Sequence, residues 1–255
     1  MKRTALITGA TSGIGEATAL ILAENNFRLI ITGRRAKRLD SLKHKIESKN
    51  KADIHLLNFD VRNLDETKNA IDSLPESFKK IDVLINNAGL AVGLNTVQDG
   101  DIDDWERMID TNIKGLLYVT RLVSPGMIEN KSGHIINISS IAGKETYPLG
   151  NVYCASKHAV QSITKGMRID MLKYGIKVSS VCPGAVETEF SLVRFKGDED
   201  RANKVYDGFT PLYANDIAET ILFLLTRPKH VNIDDVLIMP TSQAFSRDFY
   251  RGEIG

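Results

Sequence analysis

The segment Asn151-Val-Tyr-Cys-Ala-Ser-Lys-His-Ala-Val160 sets a phenol, Tyr153, and an ammonium, Lys157, four residues apart. Residues at that spacing are neighbours on one face of a helix, so the charge of Lys157 can sit close to the Tyr153 hydroxyl. A phenol titrates at about pH 10 and is protonated at neutrality, and nearby positive charge favours the phenolate. Lowering it by about three units takes roughly 4 kcal/mol of differential stabilisation. An ammonium together with a positively charged ligand can supply that. Such a tyrosine is a general base for alcohol oxidation or a general acid for carbonyl reduction.

A second constellation binds anions. The apolar run Ala5-Leu-Ile7 leads into Thr8-Gly-Ala-Thr-Ser-Gly-Ile-Gly15 and a helix opening Glu16-Ala-Thr-Ala. Glycines let the main chain approach a pyrophosphate, and free N–H groups at the helix start face the anion. Gly9, Thr11, Ser12, Gly13, Ile14 and Gly15 are the expected cradle, in a Gly-x-x-x-Gly-x-Gly spacing; a purely structural turn is the alternative. At the end of the second strand an acid would hold the ribose of NAD and an arginine the 2′-phosphate of NADP. Here the run ends Ile31-Thr-Gly-Arg34-Arg35, without an acid, and guanidinium pairs well with phosphate. The expected cofactor is NADP. Lys37 and Arg38 extend the basic cluster into a helix start; such residues oppose the helix dipole, which favours an anionic ligand over a merely solvated helix start.

Two more strand ends fit this crevice. Asp60-Val61 can meet the adenine amino group, or else Asp60 caps the helix that starts near Asn63. Asn86-Asn87-Ala88-Gly89 forms a tight turn that leaves space beside the ribose.

The elements that must hold these groups are short apolar, β-branched runs: Ala5–Ile7, Leu29–Thr32, Ile54–Leu57, Val83–Ile85, His134–Ile138, Lys177–Val181 and Val236–Met239. Helical patterns lie between them near 14–25, 36–49, 64–74, 103–124, 151–174 and 214–226. This β-α-β rhythm predicts an α/β fold, a Rossmann-type doubly wound sheet of about seven parallel strands with helices on both faces. The 255 residues form one domain, 1–255. One long connection, about 185–208, lacks periodicity and is rich in charge, the pattern of a lid.

Composition narrows the partners. Lys and Arg number 33 against 32 Asp and Glu, so no net field draws nucleic acid or an anionic membrane. Met1-Lys-Arg3 resembles the charged start of a signal peptide, but Thr8, Gly9, Thr11, Ser12 and Gly13 interrupt the apolar run. No stretch reaches the roughly 18 apolar residues of a membrane span. Cys154 and Cys182 lack metal-ligand spacing and read as reduced, cytoplasmic thiols, with no metal expected.

In chain order, Thr8-Gly-x-x-x-Gly-x-Gly15, Asn86-Asn-Ala-Gly89, Asn112, Ser140, Tyr153-x-x-x-Lys157 and Pro183-Gly184 resemble the short-chain dehydrogenase/reductase family over essentially the whole chain. The resemblance implies a catalytic set of Asn112, Ser140, Tyr153 and Lys157. Ser140, just beyond the fifth strand, would donate a hydrogen bond to the substrate oxygen; a turn cap is its alternative. Asn112 sits in a helical pattern where Asn is a poor interior residue. The family implies that the backbone kinks there and that Asn112 holds a water linked to the lysine; a solvent-facing Asn is the alternative. Lys157 would also hold the nicotinamide ribose, while Pro183, Gly184, Val186 and Thr188 face the nicotinamide carboxamide and the phosphates. Cys154 and His158 point elsewhere on the helix and are assigned to packing.

Further stretches resemble one branch of the family, the NADP-dependent 3-hydroxy acid dehydrogenases that also act on serine and allo-threonine. They are Thr32-Gly-Arg-Arg35, Ala88-Gly-Leu-Ala-Val-Gly93, Tyr147-Pro-Leu-Gly-Asn-Val-Tyr153, Val193-Arg-Phe-Lys-Gly-Asp198 and His230-Val-Asn-Ile233. The segment Gly184–Phe190 is one residue shorter than in some members. A small acidic substrate needs a cation near the tyrosine, and Arg194 or Lys196 in the lid can supply it, unless both only pair with Asp198 and Glu199 at the surface.

The expected activity is NADP-dependent oxidation of the 3-hydroxyl of small 3-hydroxy acids, with Ser140, Tyr153, Arg194 and Lys196 on the substrate. A broad carbonyl reductase and a catalytically silent NADP-binding sensor or scaffold are the alternatives. The family also suggests a homotetramer built on the helices near 103–124 and 151–174.

Overall fold

A computed structural model describes residues 2–49 and 51–252. Seven strands form one parallel sheet in the order β3-β2-β1-β4-β5-β6-β9: β1 (Thr4–Ile7), β2 (Arg28–Gly33), β3 (Ile54–Asn58), β4 (Val83–Asn86), β5 (Gly133–Ile138), β6 (Ile176–Pro183) and β9 (Asp235–Ile238). The order runs outward from β1 to β3 on one side and from β4 to β9 on the other. Between β1 and β4 the chain therefore reverses direction across the sheet, the place where such folds open a crevice at the carboxyl ends of the strands.

The near-continuous apolar runs follow from burial on both faces. Successive side chains alternate between faces. Ala5 and Ile7 of β1, Leu29 and Ile31 of β2, and Val83 and Ile85 of β4 pack under α1 (Gly13–Glu24), α2 (Ala36–Glu47) and α10 (Ala214–Leu225). Leu6, Ile30, Leu84 and Ile135 pack on the opposite face, under α3 (Leu64–Asp72), α6 (Leu116–Glu129) and α7 (Asn151–Met171). Buried amides link across this second layer: Asn86 donates to Thr120 and Asn137, and Asn137 donates to Thr164, each at 2.9 Å.

The helical pattern expected over 103–124 is α5 (Ile102–Ile109) and α6 joined by a π-helical turn, Asp110–Gly115. The widened turn falls at Asn112, as the kink expectation required, and the helix runs on to Glu129 past Pro125. Around the lid the structure departs from the aperiodic loop expected. It contains β7 (Val186–Glu187), α8 (Phe190–Arg194) and α9 (Glu199–Lys204), and β7 pairs in parallel with β8 (Leu212–Tyr213). Helices of five and six residues carry too little period to read from sequence. A local signal was present nonetheless: Asp198 caps α9 by accepting from the Arg201 N–H at 3.0 Å. A further short helix, α4 (Glu76–Lys79), was likewise not expected.

Candidate active site

The crevice at the β1/β4 reversal encloses about 410 Å³ and is lined from end to end by the glycine turn, the β5 and β6 exits, the lid and the C-terminal segment. Gly9 needs to be glycine on two counts: its φ is +67°, and a Cβ there would lie 2.9 Å from the Ala88 Cα. Asn87 ties this turn to β4, donating through Nδ2 to the carbonyls of Thr8 at 2.9 Å and Gly9 at 3.1 Å. Ser12 stands at the N-cap of α1 without capping it through its side chain, so no hydroxyl satisfies the first-turn N–H groups that border the crevice.

Arg35 folds over the turn. Its Nη2 donates to Thr11 Oγ1 and Ser12 Oγ, both at 2.8 Å. Its Nη1 meets Glu189 Oε2 at 3.0 Å, and Arg38 Nη1 holds both Glu189 oxygens at 2.6 and 2.8 Å. Partial burial alone would raise the Glu189 carboxyl, but these hydrogen bonds hold it below the ordinary range. Arg34 reaches Asp60 at 3.6 Å. Asp60 does not cap α3: Asn63 does, accepting from the Asp65 and Glu66 N–H groups, while Arg62 grips the Asp60 carboxylate. Burial opposes ionisation of Asp60, yet the Arg62 hydrogen bonds keep its carboxyl low. A turn with no space for a Cβ, a guanidinium above it and no acid at the end of β2 fit a dinucleotide with a 2′-phosphate.

At the other end, α7 buries Tyr153, Ser156, Lys157 and Val160 along one stripe. The Tyr153 phenol and Lys157 both border the crevice, but the ammonium donates to the Ile138 carbonyl at 2.9 Å and lies 6.0 Å from the Tyr153 ring centre. Burial pulls Lys157 down to about 8. It also pushes the Tyr153 phenol up; neighbouring Tyr147 adds to the rise, while Arg194 and a hydrogen bond with Ser140 oppose it. The expected lowering requires Lys157 together with a positively charged ligand; in the protein alone, burial is the largest influence and raises the phenol.

Ser140 is a turn cap that also faces the crevice. Its Oγ accepts from the Ala142 N–H at 3.1 Å, capping a short turn, and it borders the crevice beside Tyr153. Asn112 is buried, not solvent-facing. Its amide brackets Leu90, accepting from the N–H at 2.9 Å and donating to the carbonyl at 2.8 Å, and donates to Ser156 at 3.0 Å. A Cβ on Gly89 would lie 3.2 Å from Asn112 Oδ1 and 3.4 Å from Lys157 Nζ, so the two groups border one point. Ala88, Val61, Pro183, Gly184, Val186 and Thr188 also line the crevice. Cys154 packs with Leu90, Tyr147 and Tyr153, as the packing assignment required, whereas His158 is exposed and only hydrogen-bonds the Cys154 carbonyl one turn back.

Of the two cations expected as alternatives in the 185–208 segment, Arg194 lies beside Tyr153. Arg194 Nη2 donates to Tyr147 Oη at 3.0 Å, and its guanidinium lies 5.0 Å over the rings of both Tyr153 and Phe190. Lys196 is not brought to the crevice. It pairs with Asp101 at 3.1 Å and with buried Asp104 at 2.8 Å, which pins the lid to α5. The two acids at the start of α5 outcompete any role for it beside Tyr153. Sequence reasoning did not include Tyr147, Phe190, Gln243, Ser246 or Arg247 in the site. Gln243 accepts from the Ala185 N–H at 2.9 Å and so fastens the C-terminal segment to the β6 exit, a long-range contact without a local pattern.

The sequence pattern of the short chain dehydrogenase family matches residues 3–198. The chain belongs to that family. Among relatives of this short-chain dehydrogenase, the NADP-dependent 3-hydroxy acid dehydrogenase YdfG of Salmonella typhi is 46% identical over 242 residues, 94% of this chain and 96% of the relative. Sulfoacetaldehyde reductase 2 of Chromohalobacter salexigens is also 46% identical, over 94% of this chain and 95% of the relative. The closed form of serine dehydrogenase complexed with NADP+ superposes with a TM-score of 0.91 at 42% identity, over 95% of this chain and 97% of that one.

Proposed function

We propose that this short-chain dehydrogenase uses NADP to oxidise the 3-hydroxyl of small 3-hydroxy acids of the L-serine, L-allo-threonine, 3-hydroxyisobutyrate or 3-hydroxypropionate type, and to run the reverse reduction. The observation that carries the acid specificity is Arg194, a guanidinium 5.0 Å over the Tyr153 ring that no carboxylate neutralises among the described residues. Two of the named relatives, the NADP-dependent 3-hydroxy acid dehydrogenase and the serine dehydrogenase complexed with NADP+, support the reading.

In this mechanism Gly9, Thr11, Ser12, Gly13, Ile14 and Gly15 cradle the pyrophosphate and Arg34 and Arg35 take the 2′-phosphate. Asp60 and Val61 border the adenine. Asn87, Ala88 and Gly89 leave room for the ribose, and Pro183, Gly184, Val186 and Thr188 flank the nicotinamide end. NADP supplies the hydride acceptor. Ser140 donates a hydrogen bond to the substrate oxygen, and Tyr153 takes the hydroxyl proton in oxidation or returns it in reduction. Lys157 holds positive charge behind the phenol and a ribose hydroxyl. Asn112 is a positioning residue that fixes Leu90 and borders Lys157. From L-serine the product is a 2-amino-3-oxo acid, which loses carbon dioxide readily.

Carbonyl reduction is a second reading with its own support. Burial keeps Tyr153 protonated in the protein alone, and a phenol is the form that donates to a carbonyl oxygen. NADP reduction with L-serine or 3-hydroxypropionate supports the first reading, and turnover restricted to ketones or aldehydes supports the second. Cofactor binding without turnover of any of these would leave only a silent NADP-binding protein.

A homotetramer fits Ile109 and Leu117, and Ile169 and Leu172, apolar residues left exposed on or beside the long helices α5–α6 and α7. Both cysteines are free and buried, which supports a reducing, cytoplasmic setting. Among the described residues, no helix is long and apolar enough to cross a membrane.

A further inference from the structure

The arginines around the cofactor end of the crevice, Arg34, Arg35, Arg38 and Arg62, all pair with carboxylates. Two at the other end do not. Arg194 comes from the lid and donates to Tyr147 Oη. Arg247 comes from the C-terminal segment, and its guanidinium lies 4.7 Å over the Tyr147 ring. Both favour the ionised form of Tyr147, although burial outweighs them and raises that phenol. Neither forms an ion pair with an acid among the described residues. Two uncompensated guanidiniums beside one buried ring repel each other, and an anion between them would relieve that repulsion.

The segment that carries Arg247 is built rather than frayed. Ser242, Gln243 and Ser246 are buried. Gln243 and Phe249 form a bridge, Gln243 holds the Ala185 N–H, and the Ser246 N–H donates to Glu145 Oε2 at 2.8 Å. Ser246 lines the crevice, and its hydroxyl is buried without a hydrogen-bond partner. A buried hydroxyl with no partner is a costly feature that a bound oxygen would resolve. Arg247, itself exposed, thus follows directly on an orphaned donor and shares the Tyr147 ring with a second cation, Arg194.

We propose that Arg247 is the second cation of the substrate's acid subsite, acting with Arg194 and Ser246 to hold a small oxoanion, carboxylate or sulfonate, carried by the hydroxy substrate. This deepens the proposed function and rests on it for the reaction. Two guanidinium forks and a hydroxyl offer more donors than a carboxylate's two oxygens require, which leaves the subsite able to take the three oxygens of a sulfonate. A lid cation and a C-terminal cation on one anion would also tie lid closure to the presence of the acid group.

The test compares the wild type with Arg247→Met and Arg247→Lys on 3-hydroxypropionate, 2-hydroxyethanesulfonate and an uncharged secondary alcohol, alongside calorimetric titration of the two acids into the NADP complex. Losing a charge-assisted contact should raise KM for the acids by about tenfold or more relative to any change for the uncharged alcohol. The lysine variant should recover part of that loss, and acid binding should weaken in parallel. Weakening confined to one of the two acids would assign the subsite to carboxylate or to sulfonate. An equal change for acids and alcohol, or unaltered acid binding, overturns the role of Arg247. If the wild type turns over neither acid, the proposed function fails by itself; the titrations then still decide whether Arg247 binds oxoanions.

Discussion

The Lys157 ammonium stands 6.0 Å from the centre of the Tyr153 ring and donates to the Ile138 carbonyl at 2.9 Å, on the strand next to that of the Asn86-Asn87 turn. Four-residue spacing brings the two groups to one crevice without putting them in contact. Burial then sets the balance, raising the Tyr153 phenol and lowering Lys157 to about 8. Activation of the phenol must therefore come with the bound oxidised cofactor, whose positive charge adds to that of Lys157.

The tyrosinate absorbance that disappears in Tyr153→Phe should accordingly titrate above the ordinary phenol value of about 10 in the protein alone, and at lower pH once NADP is added. A step below pH 8 without NADP would contradict the burial argument. The same variant should lose at least about a hundredfold in turnover, the scale of general acid–base catalysis, with NADP affinity largely kept. Activity that persists in Tyr153→Phe would exclude it as the proton-transfer group.

Arg194 makes a sharper prediction about substrate than any residue on α7. Its guanidinium faces Tyr153 and, among the described residues, hydrogen-bonds only the Tyr147 hydroxyl. Arg194→Met should raise KM for L-serine by about tenfold or more and change KM for an uncharged ketone far less. Equal effects on the two would reduce Arg194 to a packing residue over the Phe190 and Tyr153 rings.

Much of this site was legible because its groups lie at strand ends and helix starts, where local chemistry is strict. The glycine turn, Arg34-Arg35 and the Asn86-Asn87-Ala88-Gly89 turn all fall where the β-α-β rhythm puts them. Asn112 was legible as a misfit, a polar residue inside a helix that the structure resolves into a π-helical turn. What could not be read depends on long-range competition. Lys196 lies two residues from Arg194, yet Asp101 and Asp104, about 95 residues earlier, draw it to α5. Arg247 and Gln243 enter the crevice because Gln243 finds the Ala185 N–H, 58 positions away. No period in the C-terminal segment announces that contact.

Glu189 gives a prediction whose sign is informative. Its carboxylate bridges Arg35 and Arg38, and in the proposed site the 2′-phosphate of NADP would compete with it for Arg35. The groups are about half exposed, so the pairs are worth no more than about 1 kcal/mol. Glu189→Gln should therefore tighten NADP binding by up to about fivefold and change NAD binding less, as read by fluorescence titration. Weaker NADP binding in that variant would mean that Glu189 aligns the arginines for the phosphate instead of competing with it.

His134 tests the fold rather than the site. It lies buried at the start of β5, with Nε2 at 2.9 Å from Ser179 Oγ and Nδ1 without a partner. Burial, together with the positive charges of Lys177 and Arg3, lowers it from an ordinary value of 6.5 to about 3. The unfolded chain takes up the proton first, so this contribution is complete above pH 6.5 and is lost as pH falls toward 3. At about pH 4.5 the difference is two units, or roughly 3 kcal/mol. Urea unfolding should show the wild type losing about that much more stability than His134→Gln between pH 7 and pH 4.5. Carboxylates titrate in the same range in both proteins, so the comparison isolates the imidazole. Equal losses would mean that His134 accepts its proton inside the folded core.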